Sequence, residues 1–256
     1  MQVNKKKNSL TDIELLKYSR QIVLPEIDIE GQQLLSEKSI AIIGVGGIGC
    51  PVSMYLTTAG IGQIVLIDHD FITHDNLSRQ VLFNEQDISK NKASVAKEKL
   101  SIMNSQISIK AVESQIDHNS DINLFKNFDL LIDCTDNFQT RTFINAISLK
   151  ARKPLLMGSA LKLEGQVALF RNDIDDTPCY RCLYSELPNT KDACVNSGVL
   201  GSITGLIGSL VATECIKFLC NFGETLTDKL LIIDSKYNTF KSINFKKDNE
   251  CKYCNQ

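Results

Sequence analysis

A short apolar run, Ser39-Ile40-Ala41-Ile42-Ile43, passes directly into Gly44-Val45-Gly46-Gly47-Ile48-Gly49. An unbroken apolar run ending in glycine reads as a strand covered on both faces. The glycines permit a tight turn and let the backbone approach a phosphate closely. The helix that follows offers free N–H groups and the positive end of its dipole. That helix runs to Ala59, where Gly60 and Gly62 stop it, and Gln63 to Asp68 forms a second buried strand. An acidic residue at the tip of that strand suits ribose hydroxyls. Gly44, Gly46, Gly47 and Gly49 are therefore candidate phosphate-cradling residues, with Asp68 and Asp70 beside them. NAD is the default ligand of this pattern, and a tight turn without a ligand is the plainer alternative.

The rest of the chain continues the alternation. Thr11-Asp12-Ile13-Glu14 is a capping box opening a helix that ends near Arg20-Gln21, and Gly31 to Ser36 continues a second one. Ser89 can cap a helix to about Met103. Ile107, Ile109 and Ala111 read as a third strand, Asp121 to Phe128 as a short helix, and Asp129 to Asp133 as a fourth strand. Phe138 to Ala151 is helical, and Pro154 to Met157 is a fifth strand. Strand alternating with helix implies right-handed βαβ units. Beyond Gly165 the strands around Val167, Leu169, Lys229 to Ile233 and Thr239 to Phe245 mostly lack intervening helices. The fold class is thus α/β, a Rossmann-like, doubly wound and mostly parallel sheet with a partly antiparallel C-terminal extension. Asn172 to Ser197 shows no clear periodicity.

A second constellation argues against NAD. Asp75-Asn76-Leu77-Ser78-Arg79-Gln80 follows the second strand, and Lys92 follows it. A dehydrogenase needs nothing so cationic beyond its pyrophosphate turn. A triphosphate can use a planar Arg, a point-charge Lys and an orienting Asn. Taken singly, Arg79 or Lys92 would be a solvated surface charge. In the third constellation, Asp133-Cys134-Thr135-Asp136-Asn137 occupies the carboxyl end of the fourth strand, where open α/β sheets place ligands. Asp136 is placed to hold magnesium between phosphates, while Asp133 closes the strand onto a loop.

Cys179-Tyr180-Arg181-Cys182 and Cys251-Lys252-Tyr253-Cys254 form two Cys-x-x-Cys knuckles, the spacing of a closed four-thiolate zinc site. A redox dithiol is the alternative. Cys194, alone in a polar loop, is either a candidate nucleophile or an incidental thiol, with no His near it in sequence. Cys50, Cys134, Cys215 and Cys220 fall in apolar or helical contexts and read as core.

Composition narrows the classes. Nine cysteines behind a polar opening without an apolar leader suit metal or thiol chemistry in a cytoplasmic enzyme rather than a disulfide framework. A net charge of -2 excludes a broad nucleic-acid surface. Leu200 to Cys220 is apolar enough to raise a membrane span, but Glu214 and Lys217 favour a buried helix packed through Gly201, Gly205 and Gly208.

These motifs occur in an order that resembles the ThiF/MoeB/HesA family, relatives of ubiquitin-activating enzymes. They run from Tyr18-Ser19-Arg20-Gln21 through the glycine turn, Asn76-Leu77-Ser78-Arg79-Gln80, Lys92 and Asp133-Cys134-Thr135-Asp136-Asn137 to both cysteine pairs. The resemblance implies ATP-dependent adenylation of the C-terminal glycine of a small ubiquitin-like sulfur-carrier protein ending in Gly-Gly, with release of pyrophosphate. It assigns Asp68 to ribose, Asn76, Arg79 and Lys92 to phosphate, and Asp136 to magnesium. Arg20 would reach the ATP of a second subunit in a homodimer. Cys194 matches a position where some members form a covalent intermediate. A separate persulfide donor would supply sulfur, since no rhodanese-like domain is expected after Cys254. Residues 1–36 would form N-terminal helices, 37–160 the nucleotide half, and 161–256 the carrier- and zinc-binding half of a single domain. Thiamine and molybdopterin biosynthesis both remain open as the pathway. A NAD-binding oxidoreductase and a noncatalytic scaffold are the rival classes.

Overall fold

The computed structural model describes residues 10–185 and 198–255. Its centre is one sheet of eight strands. They are β1 (Ser39–Ile43), β2 (Gln63–Ile67), β3 (Ser108–Val112), β4 (Leu130–Asp133), β5 (Leu155–Leu161), β6 (Glu164–Phe170), β7 (Lys229–Asp234) and β8 (Thr239–Asn244), in spatial order β3-β2-β1-β4-β5-β6-β7-β8. The pairs from β3 to β5 are parallel, and those from β5 to β8 are antiparallel, as the sequence led one to expect. Chain order reverses between β1 and β4, which pair with Ile43 opposite Asp133. That reversal is the point at which open α/β sheets bind ligands.

Each central strand feeds two cores. Ile40 and Ile42 of β1 join a cluster with Leu56, Ile207 and Val211, while Ala41 and Ile43 join another with Phe125, Ile144 and Phe170. This two-sided burial accounts for strands without polar alternation. The helices are α1 (Asp12–Lys17), α2 (Ser19–Ile22), α3 (Asp28–Glu37), α4 (Gly49–Ala59), α5 (Lys92–Met103), α6 (Phe138–Ala151), α7 (Tyr180–Leu183) and α8 (Gly201–Cys220).

Several boundaries differ from the sequence reading. The first predicted helix breaks into α1 and α2 at Tyr18, whose buried hydroxyl accepts a hydrogen bond from Asn104 Nδ2 at 2.9 Å. α3 starts earlier than expected, at Asp28. Asn91, not Ser89, caps α5, because Ser89 takes a left-handed φ of 66° in the preceding turn. The stretch after Asp121 forms only a 3-10 turn, Ile122–Phe125. β5 extends to Leu161 because β6 pairs with its whole length.

α8 is the apolar helix that raised the membrane question. Ile203, Ile207, Val211, Cys215 and Leu219 are buried in the first core cluster. Buried Glu214 is held by Lys217 Nζ at 2.8 Å and by the Leu226 amide. Its glycines are not equivalent. A Cβ at Gly208 would meet Pro51 Cγ at 2.4 Å and the Ile48 carbonyl at 2.9 Å, whereas one at Gly205 would meet nothing within 4 Å. Gly208→Ala should therefore destabilise the chain by about 1–3 kcal/mol through overpacking. Gly205→Ala should stabilise it by about 0.5–1 kcal/mol through helix propensity. Chemical denaturation of both variants checks the contrast.

Candidate active site and metal centre

Gly44 has a φ of 87°, and a Cβ there would lie 3.0 Å from the backbone of Cys134. A Cβ on Gly49 would lie 2.0 Å from the Gly44 carbonyl oxygen. The turn is thus closed by backbone-to-backbone contact that any side chain would prevent. Asp68 fastens it from the side. Its Oδ2 accepts from the Val45 amide at 2.7 Å, and its Oδ1 accepts from the Asp70 amide at 2.9 Å. Each oxygen keeps a second lone pair, so the expected ribose contact remains open to it. Burial raises the Asp68 pKa above the ordinary carboxylate value.

The segment after β2 folds over this turn. Asn76 and Gln80 are buried, and the side-chain oxygens Asn76 Oδ1 and Gln80 Oε1 have no partner. A Cβ on Gly46 would meet Gln80 Nε2 at 3.8 Å, so Gln80 overlies the glycines. Buried polar atoms without a partner are costly unless a ligand or water completes them. Here they fit a bound nucleotide. Arg79 Nη1 donates to the Asp75 carbonyl at 2.9 Å, and Asn76 Nδ2 donates to Asp75 Oδ2 at 3.2 Å. Ser78 donates to the same Asp75 carbonyl at 3.1 Å, and Leu77 packs against the first core cluster. Lys92 is the first residue of α5 and pairs with Asp70 at 2.9 Å. Asn91 fixes that helix start, accepting from the Ser94 amide and donating to the carbonyls of Asp68 and Asp70. α8 packs its first turn on the segment, where a Cβ at Gly201 would meet the Ser78 carbonyl at 2.5 Å.

The tip of β4 completes the cleft. Asp133 is buried and accepts from the Thr135 amide and hydroxyl at 2.9 and 2.7 Å. Burial raises its pKa, partly offset by Arg141. Asp136 is exposed at the loop crest, and Asn137 caps α6 by accepting from the Thr140 amide at 2.8 Å. One carboxylate supplemented by phosphate oxygens suffices for magnesium. Sequence reading missed Arg141, which is buried and donates through Nη2 to the carbonyls of Thr135 and Gly158. The signal was present. Arg141 stands on the same helical face as Ile144, Asn145 and Ser148, at core-facing spacing. Arg20 is the exposed residue of half-buried α2 and makes no ion pair among the described residues. Cys194 lies outside the described residues.

The four knuckle cysteines converge. Cys179 Sγ lies 3.8 Å from Cys251 Sγ and 4.0 Å from Cys182 Sγ, and Cys182 Sγ lies 3.5 Å from Cys254 Sγ. Tetrahedral zinc with Zn–S bonds near 2.3 Å places its sulfurs about 3.8 Å apart. The donor set and spacing fit zinc, and two contacts between knuckles, at 3.5 and 3.8 Å, are shorter than the 4.0 Å within the first, so neither knuckle stands apart as a redox pair. Burial pushes the Cys179 thiol up to about 11. Asn145 Nδ2 donates to Cys179 Sγ at 3.6 Å, and the Arg181 guanidinium stacks 5.0 Å from the Tyr253 ring centre. Cys50, Cys134 and Cys215 are buried in the core as expected, whereas Cys220 is only half-buried.

Residues 18–253 match the ThiF family. The molybdopterin-synthase adenylyltransferase of Salmonella typhimurium is 36% identical over 247 residues, covering 96% of this chain and 99% of that protein. The adenylyltransferase and sulfurtransferase MOCS3 of Aedes aegypti is 38% identical over 250 residues, 96% of this chain, but the chain spans only 57% of its length. Among solved structures, E. coli MccB with ATP matches with a TM-score of 0.79 at 27% identity, covering 98% of this chain and 76% of that one.

The Asp68 environment gives a pH prediction. Its pKa is raised in the folded chain, so its contribution to stability is full below the ordinary carboxylate value of 3.8 and is lost as pH rises through the folded pKa. Asp68→Asn should flatten the fall in thermal midpoint as pH rises above the ordinary carboxylate value, measured by calorimetry across a pH series.

Proposed function

Because the chain belongs to the ThiF family, we propose that it is a nucleotidyltransferase that uses ATP to adenylate the C-terminal glycine of a small ubiquitin-like sulfur-carrier protein. The observation that supports this reading is the pair of buried, unpartnered side-chain oxygens of Asn76 and Gln80 beside the glycine turn, with Arg79 in the same segment and Lys92 paired with Asp70 just past β2. The likeness to molybdopterin-synthase adenylyltransferases favours a molybdopterin carrier over a thiamine one.

In this reading residues 37–160 hold the nucleotide and residues 161–256 receive the carrier. The glycine turn and the start of α4 face the phosphates, and Asp68 and Asp70 the ribose side. Asn76 and Gln80 orient the triphosphate while Arg79 and Lys92 neutralise it. A carboxylate oxygen of the carrier's terminal glycine attacks the α-phosphorus in line, the bond from that phosphorus to the bridging oxygen breaks, and pyrophosphate leaves. The protein contributes placement and fixed positive charge rather than a covalent intermediate in this step. Asp136 would hold magnesium, which supplies charge neutralisation between phosphates. Arg20, exposed and unpaired among the described residues, reaches the site of a second copy in a homodimer. Cys194 and a separate persulfide donor belong to the later sulfur transfer.

Two measurements test this. ATP–pyrophosphate exchange should require a carrier with its terminal glycine intact and should fall about 10²-fold or more in Asp136→Ala. Exchange absent with every Gly-Gly carrier, or nicotinamide binding in its place, would remove the reading. Arg20→Ala should also be inactive alone, yet mixing it with Asp136→Ala should regain activity in dimers shown to exchange subunits. Secondly, purified protein should carry one zinc per chain on Cys179, Cys182, Cys251 and Cys254. Cys251→Ser should lose metal and thermal stability together, because metal affinity here is folding energy. Metal analysis with melting curves checks it.

A further inference from the structure

α6 turns polar side chains inward at Arg141, Asn145 and Ser148. Ser148 donates to the Lys153 carbonyl beyond the helix end. Asn145 serves the first cysteine knuckle, accepting from the Tyr180 amide at 3.1 Å and donating to Cys179 Sγ. Arg141 serves the strand tip, one turn nearer the helix start.

Its target is Thr135, which is gripped from three directions. The Thr135 amide and hydroxyl both donate to Asp133 Oδ1, and its carbonyl accepts from Arg141 Nη2. The same guanidinium nitrogen donates to the Gly158 carbonyl on β5 at 3.1 Å. On the other side of the crest, Asn137 is fixed as the helix cap. Asp136 thus has both neighbours pinned and its own carboxylate exposed. The buried charges of Asp133 and Arg141 favour each other without direct contact, and such a couple gives little stability over apolar residues of the same size. An apolar pair could hold α6 in place, but it could not bridge the Thr135 carbonyl in the loop after β4 to the Gly158 carbonyl on β5.

We propose that Arg141 is a positioning residue for adenylation: its buried guanidinium ties the Thr135 carbonyl to β5 and so aims Asp136 at the metal-bearing phosphates. The inference rests on the assignment of Asp136 to magnesium made above. Arg141→Lys keeps the charge but loses the planar fork that spans both carbonyls. The double variant Asp133→Asn/Arg141→Gln removes both buried charges and keeps a polar, hydrogen-bonding side chain at each position.

Calorimetric titration of ATP, with and without magnesium, tests the idea alongside thermal midpoint and zinc content. In the wild type, magnesium should tighten ATP binding. In folded Arg141→Lys, ATP alone should bind as in the wild type, while the magnesium enhancement should fall about 10–100-fold, the loss typical of removing support behind a metal ligand. The magnesium concentration for half-maximal exchange should rise in parallel, and the double variant should behave alike. A variant of either kind that is folded and keeps the full magnesium enhancement overturns the proposal and leaves the Asp136 assignment standing. Absence of any magnesium effect in the wild type overturns both.

Discussion

The rest of the site depends on two strand tips meeting backbone to backbone. Gly44, at the end of β1, lies against Cys134, at the end of β4, at a distance that leaves no room for a Cβ. β1 and β4 are neighbours only because the order of strands reverses between them. The contact puts the glycine turn and the Asp136 crest on one rim, so the turn's amides and an exposed carboxylate share a cleft. Asp68 then ties the turn to β2, and Asn91 ties the start of α5 to the same strand end. Three strand tips are in this way locked to one another by a handful of hydrogen bonds.

Much of this was legible in the sequence, and the pattern of success is physical. Strands buried on both faces announce themselves as unbroken apolar runs, so β1, β2 and β4 emerged within a residue or two. The cysteine knuckles emerged because metal spacing is a local signal. The misses were all decided by tertiary contact. Tyr18 breaks the first helix because its ring is drawn into a pocket beside Asn104. Ser89 yields the cap of α5 to Asn91 because Asn91 can also satisfy two carbonyls on the β2 edge. Local propensity carries no information about such partners.

The candidate site was legible in a narrower sense. The glycine and acidic positions follow from what a nucleotide demands, and the structure brings the glycine turn, Asp68 and the Asp136 crest to neighbouring strand tips. Support residues do not follow in this way. Arg141 touches only backbone carbonyls, which look alike in every sequence, so its task appears only once Thr135 and Gly158 are seen side by side. Asp68 shows the same limit. An acidic residue at a strand tip suggests a sugar, but nothing in the sequence shows that both of its oxygens also accept from amides of the protein itself.

The cysteine cluster joins residues 72 positions apart in the chain. On a ribosome adding about 5–20 residues each second, the first knuckle waits roughly 4–14 s for the second to be made. During that interval Cys179 and Cys182 are an unpaired dithiol beside a growing chain that has yet to form α8, β7 and β8. If the four thiolates hold a metal, as proposed, those thiols have to stay reduced through translation. Oxidants or competing thiophilic metals should act most strongly on nascent chains and least on molecules already assembled.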